Sequence, residues 1–174
     1  LKKDPGIDKY INAILEESQR LESLVRQVHK YTSVLAATPT LDDIRATLHE
    51  VIHKFEPIAQ KQGVNFVTKI DERLPLTRMA SSQIMTALSN IMENAMESMP
   101  QGGELLLEAK QRKGQLTIKI LDTGYGIRQE YLNSIYDPFF SSKTHGAGLG
   151  LAVVYQIVKN HDGDITIQSQ EGKG

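Results

Sequence analysis

Positions Ile11, Ile14, Ser18, Leu21, Val25, Val28, Thr32 and Leu35 recur at spacings of three and four, most of them apolar. Leu15, Leu24 and Tyr31 widen the stripe. The pattern predicts one helix from about Ile7 to Ala36, roughly 40 Å long at 1.5 Å per residue. A stripe of that length outruns any compact domain of its own size, so a coiled-coil or bundle partner is expected. The alternative is one long surface helix. Thr38-Pro39-Thr40 reads as a hinge.

Thr40 reads as the N-cap of a second helix, with Asp42 and Asp43 in its first turn. Leu41, Ile44, Leu48, Val51, Ile52, Phe55 and Ile58 form its apolar face, and Lys61-Gln62-Gly63 ends it. Val64–Ile70 alternates like a strand. Ser81 or Ser82 caps a helix to about Met99, stopped by Pro100-Gln101-Gly102-Gly103. Glu104–Lys110 and Gln115–Leu121 form a hairpin around Gln111-Arg112-Lys113-Gly114. A short helical piece (Arg128–Tyr136), a helix from Gly148 or Leu149 to Asn160, and a closing strand (Ile165–Ser169) complete the series. This order predicts an α+β layer architecture, with helices segregated over a largely antiparallel sheet.

Composition narrows the function classes. The chain has 174 residues, a net charge of −1 and no Cys. That balance disfavours a general nucleic-acid binder. It also leaves no disulfide or thiolate metal site. No stretch approaches the roughly 20 apolar residues of a membrane span. The start at Leu1-Lys2-Lys3 and the stop at Gly172-Lys173-Gly174 suggest a piece of a longer protein.

Three islands carry the candidate chemistry. Asn90 and Asn94, four apart, project from one helix face. Their amide oxygens suit a hard cation that takes its other oxygens from water and phosphate. Asp122 ends an apolar strand before Gly124 and Gly126. A partly buried carboxylate there needs a donor such as an adenine amine, and the glycines allow close approach. Gly146, Gly148 and Gly150 open a helix whose free N–H groups can hold phosphate. Ser141, Ser142 and Lys143 add hydroxyls and a cation. Asp137–Ala147 reads as a lid anchored by Phe139 and Phe140. Glu93 and Glu97 read as solvated, with Glu97 able to reach the edge of the site. His49 and His53 share a helix face, but nothing nearby completes a metal site. His29, His145 and His161 carry no catalytic constellation either.

These residues resemble a known family. Asn90-Ile-Met-Glu-Asn94-Ala95 resembles the N box of sensor histidine kinases, and Asp122-Thr-Gly124-Tyr-Gly126-Ile127 the G1 box. Asp137-Pro-Phe139-Phe140-Ser-Ser-Lys143 resembles the F box, and Gly146-Ala-Gly148-Leu149-Gly150-Leu151 the G2 box. Met99-Pro100-Gln-Gly102-Gly103 and the short lid look like the nitrogen-regulation branch. The resemblance implies a Bergerat ATP-binding α/β sandwich over 38–174. Residues 1–37 would then be the second helix of a dimerisation and phosphoacceptor hairpin.

The resemblance also implies ATP and Mg2+ as cofactors. The γ-phosphoryl would go to a histidine on the hairpin's first helix, then to an Asp of a response-regulator receiver domain. It makes Asn90, Asn94 and Lys143 catalytic, with Asn94 and Asn90 facing the metal and Asp122 the adenine amine. Gly124, Gly126 and Ile127 would lie by the base. Phe139, Phe140, Ser142, Lys143 and the Gly146–Leu151 start would hold the rest of the nucleotide.

A homodimer through the hairpin helices is implied, with neither nucleic acid nor membrane contacted. The location implied is cytoplasmic, whether free or as the inner part of a membrane-anchored sensor. None of the five histidines matches the acceptor's setting, so this stretch alone is expected not to autophosphorylate. Two rival readings are an ATP-hydrolysing switch of the same fold and a non-enzymatic dimerisation module. Hydrolysing relatives usually carry a carboxylate near the position of Asn90, and an amide cannot take a proton at pH 7.

Overall fold

A computed structural model describes residues 9–15, 17–19, 22, 25, 37–112, 114–141 and 147–174. Every described residue between 9 and 25 is helical. Tyr10, Ile11, Ile14, Leu15 and Val25 are all exposed, so no described residue covers this part of the stripe. Leu21, Leu24, Val28, Tyr31, Thr32, Leu35 and His29 lie outside the described residues.

The ordered elements are β1 (Thr40–Asp43), α1 (Ile44–Gln62), β2 (Val64–Ile70), β3 (Leu76–Met79), α2 (Ser81–Ser98), β4 (Gly103–Arg112), β5 (Gln115–Asp122) and α3 (Gly150–Asn160). A single 3-10 turn, Gln129–Tyr131, stands where a longer helical piece was expected.

Local chemistry corrects two caps. Thr40 does not cap α1, because residues 40–43 form a strand paired antiparallel with β3. Asp43 is the N-cap instead, its carboxylate accepting the Arg45 N–H at 3.0 Å. Leu41 is therefore on a strand, and it is exposed rather than on the buried helix face. That face consists of Ile44, Thr47, Leu48, Val51, Phe55 and Ala59, while Ile58 is exposed. Gly63 ends α1 at φ 71, which returns its N–H to the last turn. Neither Ser81 nor Ser82 caps α2. Ala80 holds that place without a side-chain bond, and the Ser81 hydroxyl turns to the Asp42 carboxylate.

The main sheet has the order β2-β4-β5. β4 and β5 form the expected hairpin, longer than read, with only residues 113–114 between the strands. β2 and β4 run parallel because β3 and α2 make the crossover between them, so the sheet is mixed rather than largely antiparallel. Leu105, Leu107 and Ala109 of β4 are fully buried and join Leu48, Phe55, Met92 and Met96 in the main core. A second cluster, Ala87, Val153, Val154 and Ile157, lies between α2 and α3, with Ile165 against it.

Ile165–Ser169 keeps alternating burial but forms no ladder among the described residues. Its links are side-chain and turn bonds. The Ile127 N–H donates to Ser169 Oγ at 2.7 Å, and the Gly172 N–H to the Tyr125 carbonyl at 2.8 Å.

Candidate functional site

Three elements bring the candidate residues together. α2 carries Asn90 and Asn94, both half-buried. The start of α3 lies against them, since a Cβ on Gly150 would stand 3.7 Å from Asn90 Oδ1 and 3.9 Å from Asn94 Nδ2. Glycine there keeps the helix start open toward the amides. Leu149 is buried and anchors the turn, with its carbonyl accepting the Val153 N–H at 2.9 Å. No side chain caps α3, so its first N–H groups point out of the helix unclaimed by a cap. Leu151 is half-buried in the first turn.

β5 delivers Asp122. Its Oδ1 accepts from the Gly124 N–H at 3.0 Å and shares the single proton of the Ser98 hydroxyl, 3.1 Å away, with the Ala95 carbonyl at 2.7 Å. Among the described residues its Oδ2 has no protein donor, leaving one acceptor for a ligand. Ser98 went unnoticed in the sequence, although it continues the line of Asn90 and Asn94 at i+8 on one helix face. Its carbonyl also takes the Tyr125 N–H at 3.2 Å. Ser98 thus ties the D-x-G-x-G turn to α2.

Gly124 is buried against Ser98, and a Cβ there would overlap the hydroxyl. Gly126 has φ 69 with the Gln170 carbonyl against it, so a side chain is excluded twice. Ile127 follows, its N–H held by Ser169.

The lid is closed at its base. Phe139 N–H donates to the Gly148 carbonyl at 2.9 Å, and Gly148 at φ 67 leaves no room for a Cβ beside Phe139 and Phe140. Phe140 packs edge-on against Tyr131 with ring centroids 5.4 Å apart. The Phe139 ring, by contrast, anchors nothing among the described residues. The residue is 70% exposed and sits at φ 69, a left-handed conformation rare for an aromatic residue. Ser142, Lys143, His145 and Gly146 lie outside the described residues.

Glu93 is exposed and paired with Lys54 at 3.1 Å, as expected for a solvated carboxylate. Both Glu93 and Glu97 line an open groove of about 560 Å³ with Phe55, Ile58, Met96 and Pro100, which shares no residue with the candidate site. His49 and His53 are exposed. Among the described residues no group of three His, Cys, Asp or Glu could hold a metal.

The family whose model describes "Histidine kinase-, DNA gyrase B-, and HSP90-like ATPase" matches residues 79–174, from the end of β3 through every site element above. The chain belongs to this ATPase family. Sporulation kinase E of Bacillus subtilis (strain 168) is 28% identical over 166 residues, 95% of this chain and 22% of its own length. Sensor histidine kinase ZraS of Escherichia coli (strain K12) is 28% identical over 159 residues, covering 91% of this chain and 34% of the relative. The chain therefore spans between about a fifth and about a third of the length of these relatives. The crystal structure of full-length ShkA in complex with AMPPNP superposes with a TM-score of 0.76 at 26% identity, over 99% of this chain and 38% of that one. The α+β sandwich of the ATPase family is thus the fold of this chain. Among the described residues no helix is long and apolar enough to cross a membrane.

Proposed function

We propose that this domain binds ATP with magnesium and serves a sensor histidine kinase, free in the cytoplasm or as the inner part of a membrane-anchored sensor, passing the γ-phosphoryl group to a histidine rather than to water. The observation that carries the reading is the pair of amides, Asn90 and Asn94, set against the uncapped start of α3 at Gly150. Phosphoryl transfer rests on positioning and charge stabilisation more than on covalent chemistry. The amides and helix start supply positioning at the phosphate end. Asp122, with Oδ2 open, supplies it at the base end.

Magnesium, when bound, neutralises charge on the phosphates, and Asn90 and Asn94 are the residues to hold it. Gly124, Gly126 and Ile127 would line the base. Phe139, Phe140, Ser142, Lys143 and the Gly146–Leu151 turn would close over the phosphates. An amide at Asn90 cannot act as a base toward water, which favours a protein nucleophile over hydrolysis. The exposed apolar stripe between Tyr10 and Val25 suits a helical bundle shared with a second copy. A response-regulator receiver domain would accept the phosphoryl in turn.

Calorimetry with ATP tests the reading. Binding that strengthens with magnesium is expected, with slow or no release of phosphate to water. Failure to bind would leave a dimerisation module. Rapid steady hydrolysis would favour the ATP-driven switch.

A further inference from the structure

His161 joins the two helices of the site at the end away from the chemistry. The Ala80 N–H, at the start of α2, donates to His161 Nε2 at 2.9 Å, and Nδ1 lies 2.7 Å from the Ile157 carbonyl in the last turn of α3. A backbone N–H only donates and a carbonyl only accepts. In this geometry Nε2 accepts through its lone pair and Nδ1 donates, the tautomer with its proton on Nδ1. A left-handed Asp162 at φ 53 and the Gly163 N–H on the Val158 carbonyl shape the turn that presents the ring.

We propose that His161 is a positioning residue for the nucleotide site, pinning the start of α2 to the end of α3 and so setting the register that brings Gly150 against Asn90 and Asn94. The helices run antiparallel, with Ala80 beside His161 at one end and Asn90 beside Gly150 at the other. Between these points the contact is aliphatic: Ala87, Val153, Val154 and Ile157. Apolar contact is not directional and resists sliding weakly. A slip of one residue moves the helix start by roughly 1.5 Å relative to the amides, enough to spoil positioning for phosphoryl transfer. Asp122 is held separately, by Ser98 and the turn after β5, so the base end keeps its geometry when the clamp is lost.

This inference rests on the nucleotide-binding reading, and its test separates the two. The affinities of a non-hydrolysable ATP analogue with magnesium and of adenosine are measured on the full chain, on His161→Phe and on His161→Gln. Phe keeps ring bulk without polar atoms, while Gln restores an acceptor for Ala80. The expected result is an analogue affinity lowered about tenfold in the Phe variant, with adenosine unaffected and most of the loss regained by Gln. Equal loss of both ligands, or loss of neither, overturns the clamp. Should the Phe variant not fold, nitrogen–proton correlation of the imidazole in the unmodified chain decides. A proton on Nε2, or on both nitrogens at pH 7, overturns it. An unmodified chain that binds neither ligand sinks the functional reading instead.

Discussion

At the scale of single residues, the site depends on which oxygen each donor satisfies. Asp122 Oδ1 takes the Gly124 N–H and meets the Ser98 hydroxyl, while Oδ2 meets no donor among the described residues. Asp122→Asn preserves shape but loses a charge-assisted acceptor, worth roughly 1.5–3 kcal/mol, so ATP affinity falls about ten- to a hundredfold by calorimetry. Unchanged affinity would remove Asp122 from base reading. Ser98→Ala should weaken binding less, because Gly124 still holds the carboxylate.

Tyr136 presents the opposite case. Among the described residues its buried hydroxyl has no hydrogen-bond partner, and burial, with Tyr155 beside it, pushes its ionisation above the ordinary tyrosine value. Tyr136→Phe removes a group that gains nothing from being inside. Urea denaturation should show a gain of roughly 1 kcal/mol. A clear loss would mean that the hydroxyl does find a partner in solution. Asp122 and the two Asn residues were legible in the sequence because each stands in a local pattern. Ser98 was legible only through its i+8 relation to Asn90. The exposure of Phe139 was not legible, since it depends on Gly148 closing the loop from nine residues away in the chain.

At the scale of elements, the Val64–Ile70 strand, the hairpin and the helix bodies after residue 43 read correctly and the four-residue strands did not. Val64–Ile70 and the β4–β5 hairpin carry their periodicity on their own side chains. β1 is Thr-Leu-Asp-Asp and β3 is Leu-Thr-Arg-Met, and each becomes a strand only by pairing with the other. Ile165–Ser169 shows the converse, a strand-like alternation without a neighbour to bond among the described residues.

The β1–α1 junction has a pH signature. The Ser81 hydroxyl, with help from the Asp43 N–H, holds the Asp42 carboxyl below its ordinary range. Arg45 does the same for Asp43. A carboxyl lowered by folding stabilises the fold fully above its unfolded value near about 4, and that stability is lost as pH falls through the folded value. Denaturation midpoints of Asp42→Asn should therefore fall less steeply with acid below about pH 4 than those of the unmodified chain. Parallel curves would show that the Ser81 contact does not persist in solution.

At the scale of the molecule, the two ends of the proposed nucleotide site are built by different partners, β5 with α2 and α3 with α2. Both groups share α2, the helix that carries the Asn pair. Supplying a separate phosphoacceptor hairpin helix with labelled ATP should place acid-labile phosphate on that helix and none on this chain. Label on this chain alone would make His29 the first residue to mutate.

The crossover between β2 and β4 also orders events in time. β4 meets β5 after two intervening residues, whereas it meets β2 only once residues 71–102, including β3 and α2, have folded back. Loop closure over the longer span costs roughly 2 kcal/mol more. Folding is thus expected to begin at the hairpin and to admit β2 last. Small truncations at Leu107 would then slow folding itself, while those at Val64 would mainly hasten unfolding. The edge of the sheet that arrives last is also the first to leave, so the parallel strand, rather than the nucleotide end, sets how long the domain survives between unfolding events.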